Sequence, residues 1–131
     1  MQDPYMDFTI FHPANDASSK PLCDSERINM IIERIGPIFL TIAEKFFDSC
    51  TSIFSELSEN TASQQVRESA HQLKGSAGNL GFSRLEQIFT SIEAAAITSN
   101  PITDSVSTCV LLTLEETRLS LKSVTSHLPL G

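Results

Sequence analysis

Residues 71–81 read His71-Gln72-Leu73-Lys74-Gly75-Ser76-Ala77-Gly78-Asn79-Leu80-Gly81. Wound as a helix at about 100° per residue, the stretch separates into two unlike faces. With the turn before it, Val66, Ala70, Leu73, Ala77 and Leu80 fall within roughly 40° of a common line, an ordinary core stripe. His71 lies about 140° from that line, on the solvent side, with Gly75 about 180° and Gly78 about 120° away. Each glycine inside a helix costs roughly 1 kcal/mol relative to alanine. Two of them beside an exposed imidazole make sense if something must come close to the ring.

Outward from this segment, the chain reads as five helices. The first starts at Asp24 or Ser25, either a good N-cap, and carries Ile28, Ile31, Ile32 and Ile35 at helical spacing. Gly36-Pro37 closes it and opens a second, from about Pro37 to Ser58. That helix has a stripe of Phe39, Ile42, Ala43, Phe46, Cys50, Ile53 and Leu57, and beside it a second apolar row of Leu40, Phe47 and Phe54. Thr61-Ala-Ser-Gln64 has the form of a capping box and opens the third helix, which runs to about Asn79. Ser83-Arg-Leu-Glu86 has the same form and opens the fourth, with Leu85, Ile88, Phe89, Ile92 and Ala96 inward. Asn100-Pro101 breaks the chain, and the fifth helix spans about Thr103 to His127, with Val106, Val110, Leu114, Leu121 and Val124 in line. Period-2 alternation is absent, so the expected fold is all-α: an antiparallel up-down-up-down four-helix bundle with the short first helix as an N-terminal lid. Residues 1–23, with Pro4, Pro13 and Pro21, read as a linker or flexible tail with one short anchored piece at Phe8–Phe11, and 24–131 as the bundle.

Composition narrows the function. At 131 residues and 40% hydrophobic the chain can bury one core without staples. A formal charge of −7 argues against a nucleic-acid partner and against docking on anionic membranes. No apolar run reaches the length of a membrane span, and the N-terminus has no signal-peptide pattern. Cys23, Cys50 and Cys109 are an odd number without metal or disulfide spacing, which suits a reducing, cytoplasmic setting. His12 and His127 sit in terminal segments, and no function attaches to them.

Around His71 the neighbours are cationic. Lys74 stands at i+3 and Arg67 at i−4, about 40° away around the axis. Cations would repel a metal, and no carboxylate or second histidine lies at ligand spacing. For a phosphoryl group carried on the ring they are right, and the glycines leave room for an in-line approach.

The run 71–81 closely resembles the signature of histidine-containing phosphotransfer (HPt) domains, the intermediate carriers of phosphorelays, and the likeness in helix order extends over roughly residues 24–127. The resemblance implies that His71 accepts and donates phosphate through Nε2, that Lys74 stabilises it, and that Gly75 admits the active site of a receiver domain. Glu93, 22 residues on, matches a position where the family carries Gln or Glu that often bonds the ring or lies beside its phosphate. A carboxylate holding Nδ1–H would leave the Nε2 lone pair free for attack. A glutamate also repels a phosphate, which sets this chain apart from relatives with glutamine. The implied partners are response-regulator receiver domains and a histidine kinase, and the implied reaction is transfer from one receiver aspartate to His71 and on to another.

No cofactor is expected in this chain; Mg²⁺ would sit on the receiver. With no nucleotide-binding loop or kinase motif, the chain reads as a phosphocarrier and not an enzyme. Docking is expected on an apolar skirt drawn from Leu40, Phe47, Phe54 and the Gly75 face. A monomer is expected, either free-standing or as the C-terminal, cytoplasmic module of a membrane-bound hybrid sensor kinase. The competing reading is an HPt-like bundle that binds a receiver or kinase without carrying phosphate.

Overall fold

A computed structural model describes residues 20–99 and 101–126. The expected tail up to residue 19, including Phe8–Phe11 and His12, lies outside the described residues, as does His127. Five helices follow in order: α1 Ser25–Ile35, α2 Ile38–Glu56, α3 Ser63–Leu80, α4 Ser83–Ile97 and α5 Asp104–Thr125. Among the described residues there is no strand, so the described fold is all-α, and among them no helix is long and apolar enough to cross a membrane.

Two of the predicted helix starts are built as expected. Asp24 caps α1 by accepting from the Arg27 N–H at 3.2 Å, and Thr103 caps α5 by accepting from the Val106 N–H at 3.3 Å. The two capping boxes are not. The Thr61 hydroxyl accepts from the Ser58 N–H at 2.9 Å, closing the turn before α3, which starts only at Ser63 with no side-chain cap. Ser83 is the first residue of α4, and the capping position falls to Phe82, whose ring is wholly buried. A local hydrogen bond from a serine is worth about 1 kcal/mol. Burying a phenylalanine contributes more, about 1.5–3 kcal/mol, so the core sets this boundary.

Phe82 is the centre of an aromatic cluster that the periodicities do not reveal. Its ring stacks on Phe47 at 5.1 Å and lies 5.7 Å from Phe46 and 6.5 Å from Phe39. Further along, Phe54 of α2 stacks on Phe89 of α4 at 5.7 Å. The expected inner stripe of α2 is therefore rotated. Ile42 is 40% exposed, whereas Phe47 and Phe54 are buried. Phe47 is covered by Phe82 and by α5, whose Arg118 guanidinium lies 5.2 Å over its ring, and Phe54 by Phe89 of α4. Phe47 and Phe54 cannot form a docking skirt, and only Leu40 of that row reaches the surface in part.

α3 and α4 form an antiparallel hairpin joined by Gly81 and Phe82. Their contacts are paired symmetrically about the link, Gly78 with Glu86 and both His71 and Lys74 with Glu93. Gly81 must be glycine for two reasons. Its φ of +88° is left-handed, and a Cβ there would stand 3.0 Å from Ile28 of α1. The Asp24 N–H donates to the Gly81 carbonyl at 2.8 Å, and Ile28 is fully buried. This seats α1 over the α3–α4 turn.

Candidate functional site

The apolar stripe of α3 is buried at Val66, Ala70, Leu73 and Ala77. This turns His71 outward, with its side chain 69% exposed. The hairpin brings Glu93 of α4 alongside, and this carboxylate, only 17% exposed, organises the site. Its Oε2 lies 2.7 Å from His71 Nδ1 and its Oε1 accepts from Lys74 Nζ at 2.7 Å. One side chain thus holds both the ring and the nearest lysine.

The electrostatics follow from that geometry. The Glu93 carboxyl is held below the ordinary carboxylate value, first by the Lys74 hydrogen bond and then by His71, with its burial acting the other way. It is an anion at neutral pH and can only accept, so Nδ1 carries the proton that lies between them. The ring is then fixed in one tautomer, with the lone pair on Nε2. Among the described residues Nε2 has no hydrogen-bond partner. His71 and Glu93 also line a surface depression together with Arg67, Glu68 and Ile97.

The two glycines do different things. A Cβ on Gly75 would meet nothing within 4 Å, so the surface one turn after His71 is open. A Cβ on Gly78 would come within 2.6 Å of Glu86 Oε2. Gly78 therefore faces α4 and does not share the open surface, against the expectation from the helical wheel alone. Glu68, next to Arg67, accepts from Gln64 Nε2 at 3.1 Å.

Sequence spacing put Lys74 beside the histidine but gave no sign that it is tied to Glu93. That tie depends on the hairpin register, which spacing within one helix does not report. Ile97, 63% exposed at the rim of the depression, was also missed. A large apolar residue left exposed just off the buried stripe of α4 was the available signal.

The remaining chemistry-bearing side chains lie elsewhere. Cys23 and Cys50 are buried and Cys109 is half-buried; all three are free thiols. Burial pushes Cys50 up to about 12 and Cys109 up to about 11, which leaves them inert as nucleophiles near neutral pH. Among the described residues no group of His, Cys, Asp or Glu is placed to hold a metal ion.

Residues 41–121 match the family model of the Hpt domain. Comparison with curated proteins and with solved structures returns no match.

Proposed function

The chain belongs to the Hpt domain family of phosphocarriers in two-component signalling, and on that premise we propose that His71 takes a phosphoryl group from a receiver-domain aspartate and passes it to another. The observation that carries this reading is the Nδ1 contact with Glu93 at 2.7 Å, which leaves Nε2 as the outward nucleophile. In the forward step the Nε2 lone pair attacks phosphorus, the P–N bond forms, the acyl P–O bond breaks and the aspartate leaves as a carboxylate. The proton on Nδ1 stays in place, held by Glu93. The reverse step returns the electron pair to Nε2. The receiver supplies the Mg²⁺ and most of the transition-state stabilisation.

Each neighbour has a part in the proposal. Glu93 fixes the tautomer and the ring orientation. Lys74 offsets the Glu93 charge, which would otherwise repel an incoming phosphoryl group. Gly75 leaves the approach clear. The docking face is drawn from the Gly75 surface and Ile97, in place of Phe47 and Phe54. Helices α2 to α5 form the up-down-up-down bundle with α1 as its lid. The carrier works as a monomer in a cytoplasmic setting, because the His71 face has to stay open to its receivers.

The test mixes the protein with a phosphorylated receiver and Mg²⁺ and follows phosphate that is labile in acid and stable in base. Label on the wild type that is absent from a folded His71→Gln variant is the expected result. Label that persists in His71→Gln overturns the site, and a folded wild type unlabelled by any receiver favours the binding-only bundle.

A further inference from the structure

Lys74 is the obvious cation for a phosphoryl group on His71, yet it is already engaged. Its Nζ lies 2.7 Å from Glu93 Oε1, in a pair whose side chains are only 30% and 17% exposed. Drawing it away would leave the half-buried Glu93 carboxylate with only the His71 Nδ1–H, a few ångströms from a dianion, a cost set by burial as well as by repulsion. The site therefore favours a second cation that has no prior partner.

Arg67 meets that requirement. It lines the same depression as His71, on the same face of α3 one turn earlier. It is exposed, and among the described residues it has no ion pair. Side chains on a helix lean toward its N-terminus, so the His71 ring extends over the turn that carries Arg67. Glu93 holds the Nδ1 edge from α4, which leaves Nε2 on the ring edge that Glu93 does not hold. The neighbouring Glu68, which lines the same depression, accepts from Gln64 Nε2 through one oxygen and makes no ion pair with the guanidinium. A planar guanidinium also suits two phosphoryl oxygens at once.

We propose that Arg67 is the direct phosphoryl-binding residue of this carrier, with Lys74 retained on Glu93 as its counter-charge. The inference rests on the phosphocarrier reading above and assigns a role within it.

The experiment is the end point of phosphoryl exchange with a receiver domain. At equilibrium between separate proteins, the ratio of phosphohistidine to phosphoaspartate depends on the stability of each phosphorylated form. It does not depend on how well the two proteins dock, so a docking role for Arg67 would alter rates and leave the end point alone. Arg67→Gln should lower the ratio about three- to tenfold, the range for a partly exposed charge-assisted bond. Arg67→Lys should keep most of it, and Arg67→Glu should lower it further. An end point equal in wild type and Arg67→Gln, or one that does not fall further with Glu, overturns the proposal while leaving the carrier reading intact. Phosphoramidate, which gives its phosphoryl to Nε2 and leaves as ammonia, supplies a receiver-free check. A folded wild type that accepts phosphate from neither donor overturns the carrier reading and this inference with it.

Discussion

Gly75 offers a perturbation in which stability and transfer should move in opposite directions. It lies inside α3, exposed, and a Cβ added there meets nothing within 4 Å. Its φ is outside the left-handed region, since only Gly36 and Gly81 among the described glycines are positive. Gly75→Ala should therefore return the helix-propensity penalty, about 0.5–1 kcal/mol. For a domain of this size 1 kcal/mol corresponds to roughly 4 °C in Tm. Gly75→Leu should gain nearly as much, because leucine is almost as good a helix former as alanine. Its side chain, however, leans back over the turn that carries His71. Phosphoryl transfer from a receiver should then fall about a hundredfold in the leucine variant, the loss expected when reacting groups are held about an ångström too far apart. The alanine variant should lose much less. Labelling by phosphoramidate, a far smaller donor, should be nearly spared in both. Gly78→Ala is the control: its Cβ would push the exposed Glu86 carboxylate aside, so the stability gain is reduced and transfer is preserved. Thermal unfolding followed by circular dichroism and a labelled-receiver assay read the two effects. A leucine variant that transfers like the wild type, or an alanine variant that is less stable, would refute the reasoning.

Two further outcomes follow from the core and from the site. Phe82→Ala removes the ring that joins Phe39, Phe46 and Phe47. It should cost about 3–5 kcal/mol in urea denaturation; a loss under 1 kcal/mol would mean that the cluster does not hold the hairpin to α2. Glu93→Gln should destabilise the protein at pH 7 but not in acid. The Glu93 carboxyl is lowered from its ordinary value of 4.5 in the folded state, so its contribution is fully present above that value and fades as pH falls through the lower folded one. Urea midpoints of the two proteins should draw together as the pH falls below 4.5, and a gap that does not narrow in acid would exclude the linkage.

What the sequence made legible divides along physical lines. Helical periodicity reports which face of a segment is apolar, and α3 and α4 are buried on the stripes it marks, from Val66 to Ala77 and from Leu85 to Ala96. It is less informative for α2, whose apolar residues cover more than half the circumference. There the choice between Ile42 and Phe47 was made by distant parts of the chain, Phe82 stacked on the Phe47 ring and Arg118 of α5 over it. Periodicity has no bearing on Phe82, which stands in a two-residue link with no helical phase. Local capping chemistry misled at Thr61 and Ser83 for a related reason. A capping box is a bond of about 1 kcal/mol, and it gives way when the adjacent residue has a larger burial to complete.

The candidate site follows the same division, and the part the sequence could not reach alters its chemistry. Residues within one turn of His71 were legible because their positions are fixed by the pitch of a single helix. The link between Lys74 and Glu93 spans two helices, and it changes the charge available to a phosphoryl group. Counted along α3 alone, the ring has two cations, Arg67 and Lys74, and a phosphate dianion would be matched. Counted across the hairpin, Lys74 is paired with Glu93, and the cation that lines the His71 depression without an ion pair is Arg67. On the proposed reading, a carrier so arranged holds its phosphoryl group less firmly than one with glutamine at position 93, which has no charge to neutralise the lysine. Under the proposed role of receiving phosphate from one receiver and passing it to another, a weaker hold on the charged intermediate keeps the two directions of transfer close in free energy.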